Sequence, residues 1–357
     1  MKKRLFLKLC ILLFWTGLIF STLYFPQWLI LPYEEKTLNV FSWGDILEPS
    51  VVAQFEKETG IRVHLSYYSS NEELLVKLKA THGEGYDLII PSDYAIPQLV
   101  EEGLLKEINR SSITFWDALN PRLLGHPFDP QNHFSIPFEW EIFGLGIDQN
   151  YFNNEKIDPS WKLLFNPVSY KVAMTNDPIE ALQLAAFYLF GPFDKIQPAQ
   201  VPQVKQLLFQ QKRSVEAYAA SRADYFLATR NTPVVVASSS YIWRTMRLFP
   251  FVGFIIPREG TFITIENLCL PAASKKDKLA YAFINYLFRP ESIAKHYETF
   301  GFFPAATNVT ESLRLDPLAE ALMSSSKEQF KNYHFFKNVL PQQQIRDIWV
   351  EVKTYHD

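Results

Sequence analysis

Strand-like and helical hydrophobic patterns alternate along most of the chain. The apolar run TLNVFSW (37–43) is typical of a strand, and residues 49–60 follow it with a helical pattern that opens on a proline and closes on a glycine. Two more strand–helix pairs come next, with strands in IRVHLSYY (61–68) and YDLIIP (86–91). This alternation predicts a parallel sheet covered by helices.

Longer apolar segments continue the pattern in the second half of the chain. Strands and helices are predicted within 135–148, 171–190, 232–243, 251–271 and 278–291. Glu139 and Glu141 interrupt the first of these segments on either side of Trp140, and acids in such a run lie on a solvated face or point at a positive group. We interpret Trp140 as a core residue and Glu139 as solvated, and leave both interpretations open for Glu141.

The carboxyl ends of the first three predicted strands carry aromatic and hydrogen-bonding side chains. Trp43 ends the first strand and Asp45 follows it, while Ser92 and Tyr94 follow the third. In open α/β sheets, ligands bind beyond these ends, so the side chains are candidates to line a cleft. The alternative is that Trp43 packs in the core and Asp45 is a solvated turn residue.

Asp177 and Glu180 lie at the start of the helix predicted within 171–190. Acids at a helix N-terminus stabilise the helix dipole, so position alone favours a capping role. Ligand binding and capping do not exclude each other.

The first 33 residues differ from the rest of the chain. The basic stretch MKKRLFLK precedes CILLFWTGLIFSTLYF, an uncharged run of 16 residues. This order is typical of a secretory signal, but no clear small-x-small cleavage site follows, and the run is close to the length that spans a bilayer. We therefore expect residues 1–33 to be a signal peptide or an N-terminal membrane anchor of an exported protein.

Composition narrows the function classes. The chain has 357 residues, of which 48% are hydrophobic, enough for two lobes. Asp and Glu number 38 against 35 Lys and Arg, so a nucleic-acid partner is not expected. Only Cys269 lies beyond the N-terminal segment, which excludes a disulfide within the exported part. Neither a phosphate-binding glycine loop nor HExxH nor GxSxG occurs, so we expect no enzyme, no catalytic residue, no cofactor and no metal.

An ordered set of segments carries a family resemblance. These segments are FSWGDILEPSVVAQFEKETGIRVHLSYY, PFDPQNHFSIPFEWEIFGLGI, IIPREGTFITIENLCLPAAS and FINYLFRPESIAKHYETFGFFPA. From about residue 37 onward the chain resembles the spermidine/putrescine-binding proteins of bacterial polyamine ABC transporters. The resemblance implies an α/β, two-lobed, type II periplasmic-binding-protein fold, with mainly parallel sheets covered by helices and a ligand cleft between the lobes. It implies lobe 1 at 34–143 plus about 264–308, and lobe 2 at about 144–263 plus 309–357.

The resemblance also implies a set of ligand residues. Polyamines are long aliphatic cations, so their ammonium groups need carboxylates and their methylene groups need apolar or aromatic walls. The positions that match the acids and rings of the family are Trp43, Asp45, Tyr94, Asp177, Glu180 and Glu266.

Other positions depart from the family pattern. Ser238 and Thr264 stand where the family has tryptophans, and Phe302 stands in place of a tyrosine. Glu141 is an acid where a small residue is expected, and Ile46 replaces an aromatic residue. Ser238, Thr264, Phe302 and Glu141 complete the predicted ligand site, in which the acids are largely kept and the aromatic walls are thinned.

These observations predict a periplasmic receptor, free or anchored to the inner membrane, that delivers a polyamine-like cation to an ABC permease. One alternative keeps the fold and binds an amino acid or an anion, because Ser92 and Ser238–Ser240 lie at predicted helix N-termini. The acids would repel a bare anion, whereas a zwitterion stays open. Another alternative is an anchored sensor or scaffold that has lost transport.

Overall fold

The computed structural model describes residues 8, 11–21, 36–153, 157–167, 169–219, 222–309, 313, 315, 317–323 and 330–355. The chain divides into a short unit, Met1–Thr37, and a compact unit, Leu38–Asp357. Residues 11–21 form helix α1. Of the helices that are described, none combines the length and apolar character needed to cross a membrane. The remainder of the predicted signal or anchor segment lies outside the described residues.

Eleven strands are described in the chain. They are β1 Thr37–Trp43, β2 Arg62–Tyr68, β3 Leu88–Ile89, β4 Ile136–Asp148, β5 Val172–Thr175, β6 Val215–Ala219, β7 Val234–Ser238, β8 Val252–Ile255, β9 Thr261–Leu268, β10 Phe303–Pro304 and β11 Tyr333–Phe335.

Helices alternate with these strands, as predicted. After α1 they are α2 Pro49–Thr59, α3 Asn71–Thr81, α4 Ile96–Glu101, α5 Lys162–Phe165, α6 Pro178–Phe190, α7 Val201–Lys212, α8 Ala223–Ala228, α9 Ser239–Leu248, α10 Asp277–Leu287, α11 Pro290–Phe300, α12 Pro317–Met323 and α13 Gln342–Thr354.

Local sequence signals set the ends of the first helices in the compact unit. Pro49 opens α2, and Gly60 closes it in the left-handed conformation with φ 69°, which glycine adopts without steric strain. The Ser70 side chain accepts a hydrogen bond from the backbone N–H of Glu73 and so caps α3. Both ends of α2 confirm the helix predicted at 49–60 to within a residue.

The three-stranded sheet has the order β2-β1-β3, and β1 pairs with β3 in parallel, with Val40 opposite Leu88. This arrangement is the covered parallel sheet that the alternation predicts. Its strand ends bring Trp43 and the residues after Ile89 to the same edge.

The larger sheet is mixed rather than mainly parallel. Its order is β11-β9-β4-β7-β5-β6, and β8 and β10 also pair with β4. Strand β4 is antiparallel to β7, β8, β9 and β10, whereas the pairs β5–β6, β5–β7 and β9–β11 are parallel. The alternation of helices and strands in the sequence does not predict this mixed pairing. The partners of β4 come from segments later in the chain that run in the opposite direction to β4.

Strand β4 contributes to two hydrophobic cores. Trp140 and Ile142 pack in the core built around α2, α10 and α11. Phe143 and Leu145 pack in the core built around α6, α7 and α13. Trp140 is 1% exposed, which confirms its interpretation as a core residue. The strand therefore passes from one core to the other between Ile142 and Phe143.

Candidate functional site

One face of the β4–β9 strand pair carries three carboxyl groups. In the antiparallel register Glu139 lies opposite Glu266, and Glu141 lies opposite Thr264. Successive residues of a strand point to opposite faces, and residues two apart share a face. Glu139, Glu141, Thr264 and Glu266 therefore share one face, while Trp140 points to the core on the other side. We call Glu139, Glu141 and Glu266 the floor acids; all three are buried.

The interpretation of Glu139 as a solvated residue is wrong. Its side chain is 3% exposed, and no hydrogen-bond partner is found for Oε2 among the described residues. The residue is enclosed because β4 lies between two partner strands, with Glu266 of β9 on one side and Pro304 of β10 on the other.

Phe302 and Ser238 flank the floor acids. Strand β10 places Phe303 opposite Trp140, so the preceding Phe302 continues the register to Glu141. Phe302 is buried, and its backbone direction is set by Gly301, which ends α11 with φ 78°. A Cβ at Gly301 would lie 2.6 Å from the Trp243 ring, so the turn requires glycine.

Two donors from the three-stranded sheet orient Glu266. The Trp43 indole Nε1–H donates to Glu266 Oε2 at 3.0 Å, and the Ser92 hydroxyl donates to Oε1 at 2.8 Å. Trp43 is partly buried against the Tyr68 ring, whose hydroxyl donates to the Ile90 carbonyl. Trp43 ends β1 and Ser92 follows β3, so both lie at the same edge of one sheet, as the sequence analysis expects.

Glu141 is held by the N-terminus of α9. The Ser240 hydroxyl donates to Glu141 Oε2 at 2.5 Å, and Ser238 lies within 3.2 Å of Ser240 through their hydroxyl oxygens. Burial raises the pKa of Glu141, and the hydrogen bonds from Ser240 and Ser238 and the charge of Arg244 oppose this rise.

Asp177 and Glu180 form a second group, which we call the helix-end pair. Asp177 Oδ1 accepts from the backbone N–H groups of Ile179 at 2.7 Å and Glu180 at 3.1 Å, so Asp177 caps α6. The Thr175 hydroxyl donates to Glu180 Oε2 at 2.5 Å. The helix dipole stabilises negative charge here. Both carboxyl side chains are partly exposed.

Electrostatic coupling joins the two groups of acids. Burial, followed by the charges of Asp177 and Glu141, raises the pKa of Glu180 well above its ordinary value. Burial, followed by the charges of Asp177 and Glu180, likewise raises the pKa of the Tyr94 hydroxyl. Tyr94 therefore lies close to the helix-end pair, and Glu141 links that pair to the floor.

Besides burial, the charges of the floor acids raise the pKa values of Glu139 and Glu266. Burial, followed by the charges of Glu266 and Glu141, raises the pKa of Glu139 well above its ordinary value. Burial also dominates the raised pKa of Glu266, to which Glu141 and Asp93 add. In the described part of the chain, none of the five carboxyls takes part in an ion pair with Lys, Arg or His.

Asp45 is placed differently from the other predicted acids. It lies in the exposed turn after β1, and no hydrogen bond or ion pair connects it with the floor acids or the helix-end pair in the described region. Its neighbour Ile46 is 1% exposed and packs in the first core. A ligand role for Asp45 stays a prediction.

A cavity of about 750 Å³ is lined in part by Tyr94 and Asp93. Aromatic side chains line it, including Phe187, Phe262 and Phe336. None of the floor acids or the helix-end pair lines this cavity. Over the residues that the structure describes, no cluster of His, Cys, Asp and Glu could hold a metal ion.

The site includes residues that the sequence analysis did not select as ligand residues. Ser92, Thr175 and Ser240 hold the carboxylates, and Glu139 joins the floor. The spacing of Glu139 and Glu141 is a signal that could have found Glu139, because positions i and i+2 of a strand share a face. Ser92 and Ser240 lie at a predicted strand end and a predicted helix N-terminus, but the sequence gives no signal that their hydroxyls donate to carboxylates, since serine and threonine are common at turns and helix starts.

Two groups of carboxyls in an α/β fold form the kind of site that a solute-binding receptor for a cation needs. Comparison with known proteins supports this class. The family described as bacterial extracellular solute-binding protein matches residues 50–321, and the chain belongs to this family.

Two relatives are similar to most of the chain. The chain is 30% identical over 277 residues to the spermidine/putrescine-binding periplasmic protein of Salmonella typhimurium, covering 75% of this chain and 77% of that one. It is 28% identical over 348 residues to the putrescine-binding periplasmic protein SpuD of Pseudomonas aeruginosa, covering 90% and 93%.

A solved structure confirms the two-lobed fold. The spermidine/putrescine ABC transporter substrate-binding protein PotD of Streptococcus pneumoniae superposes with a TM-score of 0.76 at 24% identity, over 89% of this chain and 99% of that chain.

Proposed function

We propose that the protein is the extracytoplasmic receptor of an ABC importer and captures a polyamine of the spermidine/putrescine type. The observation that carries the proposal is a set of five carboxyl groups, none of which forms an ion pair with a basic side chain in the described region; the charge of Arg244 acts on Glu141 alone among them. A buried carboxylate without a counter-charge is costly, and an ammonium ligand would supply that charge. The relatives named above are polyamine-binding proteins.

The proposed ligand residues are the helix-end pair and the floor acids, with Trp43, Tyr94 and Phe302 as apolar or aromatic walls. The Trp43 indole is fixed by its bond to Glu266 and so presents a preorganised ring. Ammonium groups gain about 0.5–2 kcal/mol over such a ring. Ser238 and Thr264 leave more room than tryptophans would, and they are proposed to border the same cleft. No covalent chemistry is involved.

The serines argue against a bare anion as ligand. The hydroxyls of Ser92 and Ser240 already donate to Glu266 and Glu141, so they are not free donors for an anion. The surrounding carboxylates would also repel it.

The lobe boundaries given in the sequence analysis are kept as part of the proposal. They are supported by the passage of β4 between two cores at Ile142 and Phe143. The proposed partner is a permease of the inner membrane, and the proposed location is the periplasm, either free or anchored by residues 1–33.

Calorimetric titration of the full chain in a nonionic detergent tests the function. Putrescine, cadaverine, spermidine and spermine are compared with sulfate and glutamate. We expect saturable binding of at least one polyamine and none of sulfate. The double variant Asp177→Asn/Glu180→Gln should lower affinity about 30-fold or more, since losing a charge partner costs about 2–5 kcal/mol. The matched control is Glu84→Gln, which changes an exposed glutamate outside the proposed site.

Absence of heat with every polyamine, from a folded chain, would contradict the proposed ligand. Binding of glutamate that survives the double variant would favour an amino-acid receptor. Stimulation of ATP hydrolysis by the cognate permease, measured with loaded receptor, separates a transport receptor from a sensor.

A further inference from the structure

Glu139 has no structural role that explains a carboxyl group at its position. It is 3% exposed in the middle of an otherwise apolar strand, and its Oε2 lacks a hydrogen-bond partner among the described residues. It caps no helix, and it forms no ion pair in the described part of the chain. A buried carboxyl without a partner destabilises a protein, so its presence points to a partner that arrives from outside.

The position of Glu139 identifies the chemistry of that partner. Glu139 lies directly opposite Glu266, and Glu141 lies two residues further along the same face. Directly opposed residues of an antiparallel pair have Cβ atoms about 4.5–5.5 Å apart, so three ionised carboxylates would repel one another strongly. A primary ammonium group carries three N–H donors and can therefore bond to three carboxylates at once.

The helix-end pair is a separate place for positive charge. Asp177 and Glu180 belong to α6, and, in addition to burial, the charge of Glu141 raises the pKa of Glu180 as it does that of Glu139. A ligand with only two ammonium groups supplies two positive charges, too few for both groups of acids. It leaves most of the five carboxyls uncompensated, whereas a longer polyamine adds charge between its ends.

We infer that Glu139, with Glu141 and Glu266, forms an ammonium subsite on the floor of the cleft, additional to the helix-end pair, and that this subsite selects polyamines with three or more ammonium groups over diamines. The inference rests on the proposed function and deepens it. It assigns to Glu139 a specificity role at a position where a neutral side chain would suffice for folding.

The test compares putrescine, spermidine and spermine on the full chain, at pH 7 and fixed ionic strength. The proteins are the wild type, Glu139→Gln and the control Glu84→Gln. We expect the wild type to bind spermidine about tenfold or more tighter than putrescine. Glu139→Gln should lower spermidine affinity about tenfold and putrescine affinity less than about threefold, since each tenfold step corresponds to 1.4 kcal/mol. Glu84→Gln should change neither.

Proton release gives a second readout that a merely structural role would not move. Titrations in two buffers of different ionisation enthalpy measure the protons released when spermidine binds. The wild type should release protons from its carboxyls, and Glu139→Gln should release fewer at the same pH.

Three results would overturn the inference. Equal loss of affinity for all three polyamines would make Glu139 a structural residue. Unchanged selectivity and proton release in Glu139→Gln would place it outside the site; loss of binding in Asp177→Asn/Glu180→Gln would then leave the proposed function intact. A wild type that binds none of the polyamines would reject the function and the subsite together.

Discussion

The helix-end pair and the floor acids hold carboxyl groups in opposite ways. Asp177 accepts two backbone N–H groups at the positive end of α6, and these bonds oppose the rise in its pKa that burial causes. Glu139 lies within a strand, has an oxygen without a partner, and faces Glu266. In the proposed function, the first group serves folding and binding together, whereas the second group serves binding alone. Substitutions should separate the two.

The largest expected effect comes from Asp177. Asp177→Asn keeps an oxygen that can cap α6 but removes the charge, so spermidine affinity should fall about 30-fold while stability changes little. Asp177→Ala should lose the same affinity and also lower the free energy of unfolding by about 1 kcal/mol. Calorimetry and urea unfolding measure the two quantities. Wild-type affinity in Asp177→Asn would show that Asp177 is only a cap.

An intermediate effect is expected at Trp43. Trp43→Phe removes the indole N–H that orients Glu266 and reduces the ring available to an ammonium group, so spermidine affinity should fall about tenfold. The matched variant is Trp140→Phe on the opposite side of the sheet, which loses core packing and the bond to the Pro304 carbonyl. It should lower the free energy of unfolding without changing the affinity of the folded protein. Equal affinities for Trp43→Phe and the wild type would place Trp43 in the core instead.

The smallest expected effect is on the stability of the empty protein. Glu139 has a raised pKa in the folded state, so the folded protein binds its proton more tightly than the unfolded chain does. Its contribution to stability is therefore lost as pH rises from the ordinary glutamate pKa through the raised one. Glu139→Gln does not titrate, so its advantage in Tm over the wild type should grow between pH 5 and pH 8.

The expected gain at pH 8 is about 1 kcal/mol, or roughly 2 °C in Tm for a chain of this size. Buried His296, whose pKa falls to about 4, has the opposite pH dependence, but it is present in both proteins and cancels in the comparison. A Tm difference that is independent of pH, or a lower Tm for the variant at pH 8, would show that Glu139 carries no cost in the empty cleft.

The sequence predicts much of the fold because its signals are local. Pro49 and Gly60 set the ends of α2 through their dihedral preferences, and the structure confirms them. Strand β3 is shorter than predicted, Leu88–Ile89 within 86–91, because pairing with β1 rather than apolar character decides its length. The direction of β4 could not be predicted, since it depends on partners more than 80 residues away in sequence.

The candidate site is predicted less completely than the fold. Trp43 donates to Glu266, and burial, followed by the charges of Asp177, Glu180 and Glu266, raises the pKa of Tyr94, so the ends of strands in both sheets supply the site. The burial of Glu139 depends on β10 returning beside β4, which alternation in the sequence does not show. Asp45 shows the converse: it is two residues from Trp43 but lies in the exposed turn, so proximity in sequence does not bring it to the carboxyls.

The most direct test of the central claim is a crystal structure of the protein grown with spermidine. We expect one ammonium nitrogen within about 2.7–2.9 Å of carboxylate oxygens of Asp177 or Glu180, and another at the same distance from Glu139 or Glu266. Spermidine bound in the aromatic cavity that Tyr94 lines in part, or along the cleft with its nitrogens away from both groups of acids, would contradict the claim that these carboxyls exist to hold a polyammonium ligand.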